Sequence, residues 1–200
     1  MSQLCSSLRV FGTFAFAVAL IAGHGSVAAY GAGTNAPTVH DSSAGGQLGY
    51  DLVSELPTLG VDVRLGFGSE GTTAFVLNSA LSTYLGFIEQ RAYDGSVSAR
   101  TDAIHQFDLN GLIRLEAMGS LFGYSGLGLG LIHWSTMDFG REFSTVSVAV
   151  NAIFGVELAL DAPVMPYAQV RVSYLPFHLI DYGSSTTISL QAGANFVFGR

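Results

Sequence analysis

Lysine is absent from the sequence, and arginine supplies all eight basic residues against fifteen aspartates and glutamates. Charged residues make up only 12% of the chain, about half the roughly 25% usual for soluble domains. A net negative chain with scattered arginines offers no basic patch, which excludes a nucleic-acid binder. The single cysteine, Cys5, precedes an apolar stretch at the N-terminus. The chain beyond that stretch therefore has neither a disulfide nor thiol chemistry. After residue 30 no run of 18 or more apolar residues occurs, so no helix there can cross a bilayer.

Yet 49% of the residues are hydrophobic. An apolar chain without apolar runs must distribute its hydrophobicity in alternation, as membrane β-barrels do. The N-terminus reads as an address. A short polar start with one arginine leads into the apolar core "VFGTFAFAVALIAG", and small residues at Ser26-Val27-Ala28 and Val27-Ala28-Ala29 offer cleavage points. This pattern predicts a secretory signal peptide over residues 1–28, which carries Cys5 and Arg9 away. Seven arginines against fifteen acids then leave a net charge of 7 − 15 = −8. Residues 29–45 are small, polar and unpatterned, and are expected to form a flexible periplasmic segment ahead of a barrel domain, 46–200.

From Gly46 onward the period is two. Val61, Val63, Leu65 and Phe67 alternate with Asp62, Arg64, Gly66 and Gly68, and Phe107, Leu109, Ile113 and Leu115 with Asp108, Asn110, Leu112, Arg114 and Glu116. The same holds through Phe75–Phe87, Phe122–Trp134, Val146–Leu160, Tyr167–Tyr174 and Ile188–Phe198. With a short first segment at Gly46–Ser54, this predicts eight strands, each with one apolar and one polar face. Long polar loops are expected at Glu89–Asp102, Ser135–Phe143 and Pro176–Ser185, and short turns at Ser69–Thr72, Met118–Ser120 and Asp161–Val164. Long and short connections alternate, as when long loops face outward and short turns face the periplasm. The predicted fold is all-β, an eight-stranded antiparallel transmembrane up-and-down β-barrel.

The stretch "GYSGLGLGLIHW" (123–134) also admits a phosphate-loop reading. That reading requires a following helix and a Gly-Lys-Ser/Thr, and the sequence has neither. Folding the flanking strands about Gly119 instead sets Asp108 opposite Gly130, Asn110 opposite Gly128 and Leu112 opposite Gly126. The lumen of an eight-stranded barrel is just wide enough for its own side chains. Glycines opposite large residues make the room those residues occupy.

Parity places Asp51, Asp62, Arg64, Asp108, Arg114, Glu116, Glu157 and Arg171 in that lumen. Buried charges must be paired or hydrogen-bonded, so these five acids and three arginines are expected to form a polar network that plugs the barrel. The alternative is a narrow channel for small solutes or ions along the same residues.

The motifs "FDLNGLIRL" (107–115), "FGYSGLGLGL" (122–131), "NAIFGVELAL" (151–160) and "LQAGANFVF" (190–198) resemble those of the small outer-membrane barrels typified by OmpA, OmpX and the opacity proteins. The resemblance covers residues 46–200. It implies an outer-membrane location, contact with outer-membrane lipids and lipopolysaccharide, and a last strand read through its aromatics, here Phe196 and Phe198, by the barrel-assembly machinery. It also implies a structural or surface role, with loops available to a host or other surface ligand.

At the outer rim the same register puts His105 beside His133, with His178, Asp138, Glu142 and Asp181 in neighbouring loops. They are weak metal candidates, because histidines and aromatics such as Trp134 and Tyr174 commonly ring such barrels. No cofactor is implied. The sequence His133-Trp134-Ser135 is similar to the His-x-Ser pair of lipid A deacylases. In that family the pair lies on the penultimate strand and is followed by Asn, whereas here that strand is "YAQVRVSYLPF" and Thr136 follows Ser135. Lipid A modification is therefore the third reading, and the chain is expected not to be an enzyme.

Overall fold

The structure, a computed structural model, describes residues 37–38, 40–68, 72–91, 95, 97–138, 141–160, 162–175 and 185–198. The expected leader, 1–28, lies outside the described residues. Among the described residues nine strands follow one another: β1 (Ser42–Asp51), β2 (Leu56–Phe67), β3 (Thr73–Tyr84), β4 (Ile88–Arg91), β5 (Val97–Met118), β6 (Leu121–Asp138), β7 (Arg141–Leu158), β8 (Val164–Tyr174) and β9 (Thr186–Phe198). No described residue is helical.

Eight of these strands close a ring. Each pairs antiparallel with its neighbours, β3 pairs β5, and β1 pairs β9 to join the ends. The ninth, β4, resumes β3 after a break at 85–87 and pairs the far end of β5. Closure is what lets a sheet sit in hydrocarbon, since no edge in the ring is left without hydrogen-bond partners.

The β5–β6 register is the one anticipated about Gly119: Asp108↔Gly130, Asn110↔Gly128, Leu112↔Gly126 and His105↔His133. Gly119 adopts φ 49°, the left-handed turn conformation that glycine tolerates best. Alternation sorts the side chains. Outward-facing Leu48, Leu127 and Phe196 are 65%, 68% and 63% exposed, while Asp108, Arg114 and Arg171 are each 1% exposed inside. The exposed apolar side chains form a belt around the ring, with Leu59, Phe75, Leu109, Leu129 and Val150 on successive strands.

Clusters of buried, mostly apolar side chains lie toward each end of the ring. Tyr84, Ile104, Ile132, Trp134, Ala149 and Leu175 pack at the end away from the chain termini. Ala74, Phe122, Ala159, Met165 and Val197 pack at the terminal end.

Three expectations need correcting. First, β1 begins at Ser42 and ends at Asp51, so part of the segment expected to be flexible is strand. Second, most of Glu89–Asp102 and Ser135–Phe143 is strand rather than loop. β5, β6 and β7 run for 22, 18 and 18 residues, where a tilted strand needs about 9–11 to cross the bilayer. The excess projects beyond the ring as a β-ribbon that β4 widens. Third, Trp134 does not ring the outside; it is 5% exposed within the apolar cluster just described.

Candidate functional site

The lumen is where the unusual chemistry lies. Period-two alternation brings one polar face of every ring strand to a common axis, and side chains from all eight meet there. Arg64 on β2 is the hub of the terminal half. Its Nε lies 2.7 Å from Asp62 Oδ2, and Nη1 donates to Glu157 Oε1 across the barrel. Nη2 donates to Gln169 Oε1 at 3.2 Å and to Tyr124 Oη at 3.3 Å. The guanidinium also stands over two rings, 4.8 Å from the centroid of Tyr124 and 4.2 Å from that of Tyr167. Arginine suits this place because its planar charge stacks and forks at once. Arg114 adds Nε at 2.8 Å from Glu157 Oε2 and donates from Nη1 to the Asp41 carbonyl oxygen at 3.0 Å.

A second group fills the other half. Asp108 accepts from Arg171 Nη1 at 2.6 Å, from Asn151 Nδ2 at 2.7 Å and from Gln106 Nε2 at 2.8 Å. Arg171 Nη2 approaches Ser189 Oγ at 3.5 Å, and Ser189 donates to Asp51 Oδ2 at 2.9 Å. The other oxygen of Asp51 caps the β1–β2 turn, accepting from the backbone N–H of Val53 and of Ser54 at 3.1 and 2.8 Å. A ladder of amides joins the halves. Asn151 Nδ2 reaches Asn110 Oδ1 at 3.4 Å, Asn110 Nδ2 donates to Asn78 Oδ1 at 3.0 Å, and Asn78 Nδ2 donates to Asp62 Oδ2 at 3.3 Å. Three arginines thus stand among four carboxylates, every one of them buried.

Seven of the eight residues assigned to the lumen by parity lie in these contacts: Asp51, Asp62, Arg64, Asp108, Arg114, Glu157 and Arg171. Glu116 does not; it is exposed. It sits beside the turn, where a register shift between Glu116 and Met118 ends the regular ladder. Parity ceases to bury a side chain once the wall beneath it stops. Asn110 was already set inside opposite Gly128, but counting charges left out the other neutral members, Tyr124, Tyr167, Gln47, Gln106, Asn78, Asn151 and Gln169. Their signal was the same parity as the charged set.

The glycine run serves this packing. A Cβ on Gly126 would lie 2.7 Å from Leu112 Cδ2, and one on Gly130 would lie 2.6 Å from Asp108 Oδ1. On Gly128 it would collide with Asn110 Oδ1 and the Leu109 carbonyl. The run lies wholly within strand β6.

At the rim, His105 and His133 stack with ring centroids 6.1 Å apart and planes 9° apart. His105 Nδ1 is 3.1 Å from Thr83 Oγ1, and His133 Nε2 is 2.8 Å from Ser144 Oγ. Ser135 donates instead to Glu142 Oε1 at 3.1 Å, so His133 and Ser135 do not form a nucleophile–base pair. Among the described residues no group of three or more His, Cys, Asp or Glu side chains is arranged to hold a metal. His178 and Asp181 lie outside the described residues.

No protein-family model matches the sequence, and comparison with curated proteins finds no match. Solved structures do match in fold. Ail, the attachment invasion locus protein of Yersinia pestis, superposes with a TM-score of 0.55 over 79% of this chain and 97% of its own, at 14% identity. The N-terminal β-barrel domain of Pseudomonas aeruginosa OprF gives 0.57 over 82% and 100%, at 11% identity. A major outer membrane protein from Thermus thermophilus gives 0.53 over 79% and 99%, at 11% identity. Identities this low carry the fold and nothing finer. With its closed ring of eight strands and its apolar belt, the chain has the architecture of the small β-barrels of the bacterial outer membrane.

Proposed function

We propose that the protein is a closed outer-membrane barrel whose role is structural or surface-interactive rather than transport or catalysis. The observation that carries this reading is the lumen. Three arginines and four carboxylates are buried there, bonded across the barrel between apolar clusters at either end. Ions crossing such a lumen would have to break charge pairs held in a low-dielectric interior, where an unpaired charge is costly. Wide aqueous pores belong to barrels of about 16 strands. The termini and short turns face the periplasm in this reading, and the ribbon of β4–β7 projects outward. Outer-membrane lipids and lipopolysaccharide surround the belt, and the barrel-assembly machinery inserts the chain. A surface ligand would meet the ribbon.

Planar-bilayer conductance of the refolded protein tests this. The wild-type barrel should show no steady conductance, and Arg114→Met, which leaves Glu157 with Arg64 as its one remaining arginine partner, should raise it. Stable wild-type channels would make the narrow-channel reading correct instead. An unchanged lipid A mass profile with and without the protein separates both from an enzyme; a mass change abolished by Ser135→Ala would reverse that assignment.

A further inference from the structure

The glycines that face the lumen divide into two kinds. A Cβ on Gly45, Gly60, Gly126, Gly128, Gly130, Gly155 or Gly193 would meet a side chain reaching in from a neighbouring strand. Gly66 and Gly68 differ. A Cβ on Gly66 would meet the carbonyl of His40, with the Asp41 carbonyl at 3.1 Å, and one on Gly68 would lie 2.7 Å from His40 Nδ1. The space they leave is filled by chain from before β1. Asp41 is 9% exposed, and its carbonyl accepts from the buried guanidinium of Arg114 at 3.0 Å. Thr38 N donates to Asp41 Oδ2 at 2.6 Å, and Asp41 N donates back to the Thr38 carbonyl at 3.2 Å. Across this mouth, β3, β6, β8 and β9 contribute the apolar cluster of Ala74, Phe122, Met165 and Val197, while the β2 side presents glycine.

We propose that His40 and Asp41, tucked over Gly66 and Gly68 and latched by Arg114, form a strap that closes the periplasmic mouth on its β2 side. The proposal rests on the closed-lumen reading for its orientation, and it adds a part that can leave. Its latch is a side-chain bond to a backbone carbonyl ahead of β1, so it can lift while the ring stays paired. Local opening of this kind costs less than unfolding the barrel.

The test is thiol access. Cys5 is the only cysteine in the sequence, so a Cys5→Ser background gives a clean probe. Ala74 is 2% exposed and pairs with Arg114, the residue that latches the strap. Ala74→Cys should react slowly with a charged maleimide in the folded protein. Adding Gly66→Val, which fills the place of the His40 carbonyl, should speed the reaction about tenfold or more. A retained heat-dependent gel shift shows that the ring survives. If Gly66→Val fails to fold, deletion of residues 37–41 is the second variant, with the same acceleration expected. Fast labelling with the strap intact, or equally slow labelling without it, overturns the strap. The closed-lumen reading fails by a different measurement, wild-type bilayer conductance, so the two failures are distinguishable.

Discussion

The Asp108–Arg171 pair offers the sharpest test of whether the lumen is dry. Both side chains are 1% exposed, and Nη1 stands 2.6 Å from Oδ2. Arg171→Met keeps most of the stem and removes the charge. Asp108 then retains two amide donors, Asn151 at 2.7 Å and Gln106 at 2.8 Å, but no cation. Removing one partner of a buried pair costs about 3–5 kcal/mol, and the two surviving amides place this variant near the lower bound, about 3 kcal/mol. Asp108→Asn strands the guanidinium instead, with Ser189 at 3.5 Å nearby, and belongs near the upper bound, about 5 kcal/mol. The double variant removes both charges and should fall within about 1–2 kcal/mol of the parent, because replacing a whole buried pair is often close to neutral. Urea titration of the barrel in lipid vesicles, followed by the heat-dependent gel shift, measures all three. Glu142→Gln on the exposed ribbon is the control, expected within about 0.5 kcal/mol. Single variants each costing less than about 1 kcal/mol, the range of exposed ion pairs, would mean that water screens the lumen, and the closed-barrel argument would fall.

Two further predictions probe the faces of β6. Gly128→Ala should destabilise by about 1–3 kcal/mol through overpacking against Asn110, whereas Gly123→Ala, with nothing within 4 Å of the added carbon, should stay within about 0.5 kcal/mol in the same titration. Leu129→Arg, on a side chain 60% exposed in the belt, should cost about 2–4 kcal/mol in bilayers, and an insignificant effect there would mean that this face does not meet hydrocarbon.

How much of this was legible in the sequence depends on whether two faces of a strand meet different media. Within the ring they do, so alternation in 107–115 and 122–131 was enough to fix the β5–β6 register and to place Asp108 and Arg114 inside, as alternation in 167–174 placed Arg171. Beyond the ring even a buried face of the ribbon carries polar side chains, Thr101 against Thr136, so Glu89–Asp102 shows no apolar alternation although much of it is strand. At β1 the signal fails for another reason: Ser42, Ser43, Ala44 and Gly45 are small on both faces, so the strand start was invisible. Glu116 and Trp134 fail at the two ends. Parity assigns a side, but whether that side is lumen, apolar lid or open solvent depends on height along the barrel. The strap was written in no pattern of its own, yet it left a trace on β2. Gly126, Gly128 and Gly130 each face a large side chain on β5 that accounts for the missing Cβ, whereas Gly66 pairs with Val76 and faces no polar side chain. A lumen-facing glycine that no side chain of the ring needs marks room taken by chain from elsewhere, and here that chain is His40 and Asp41.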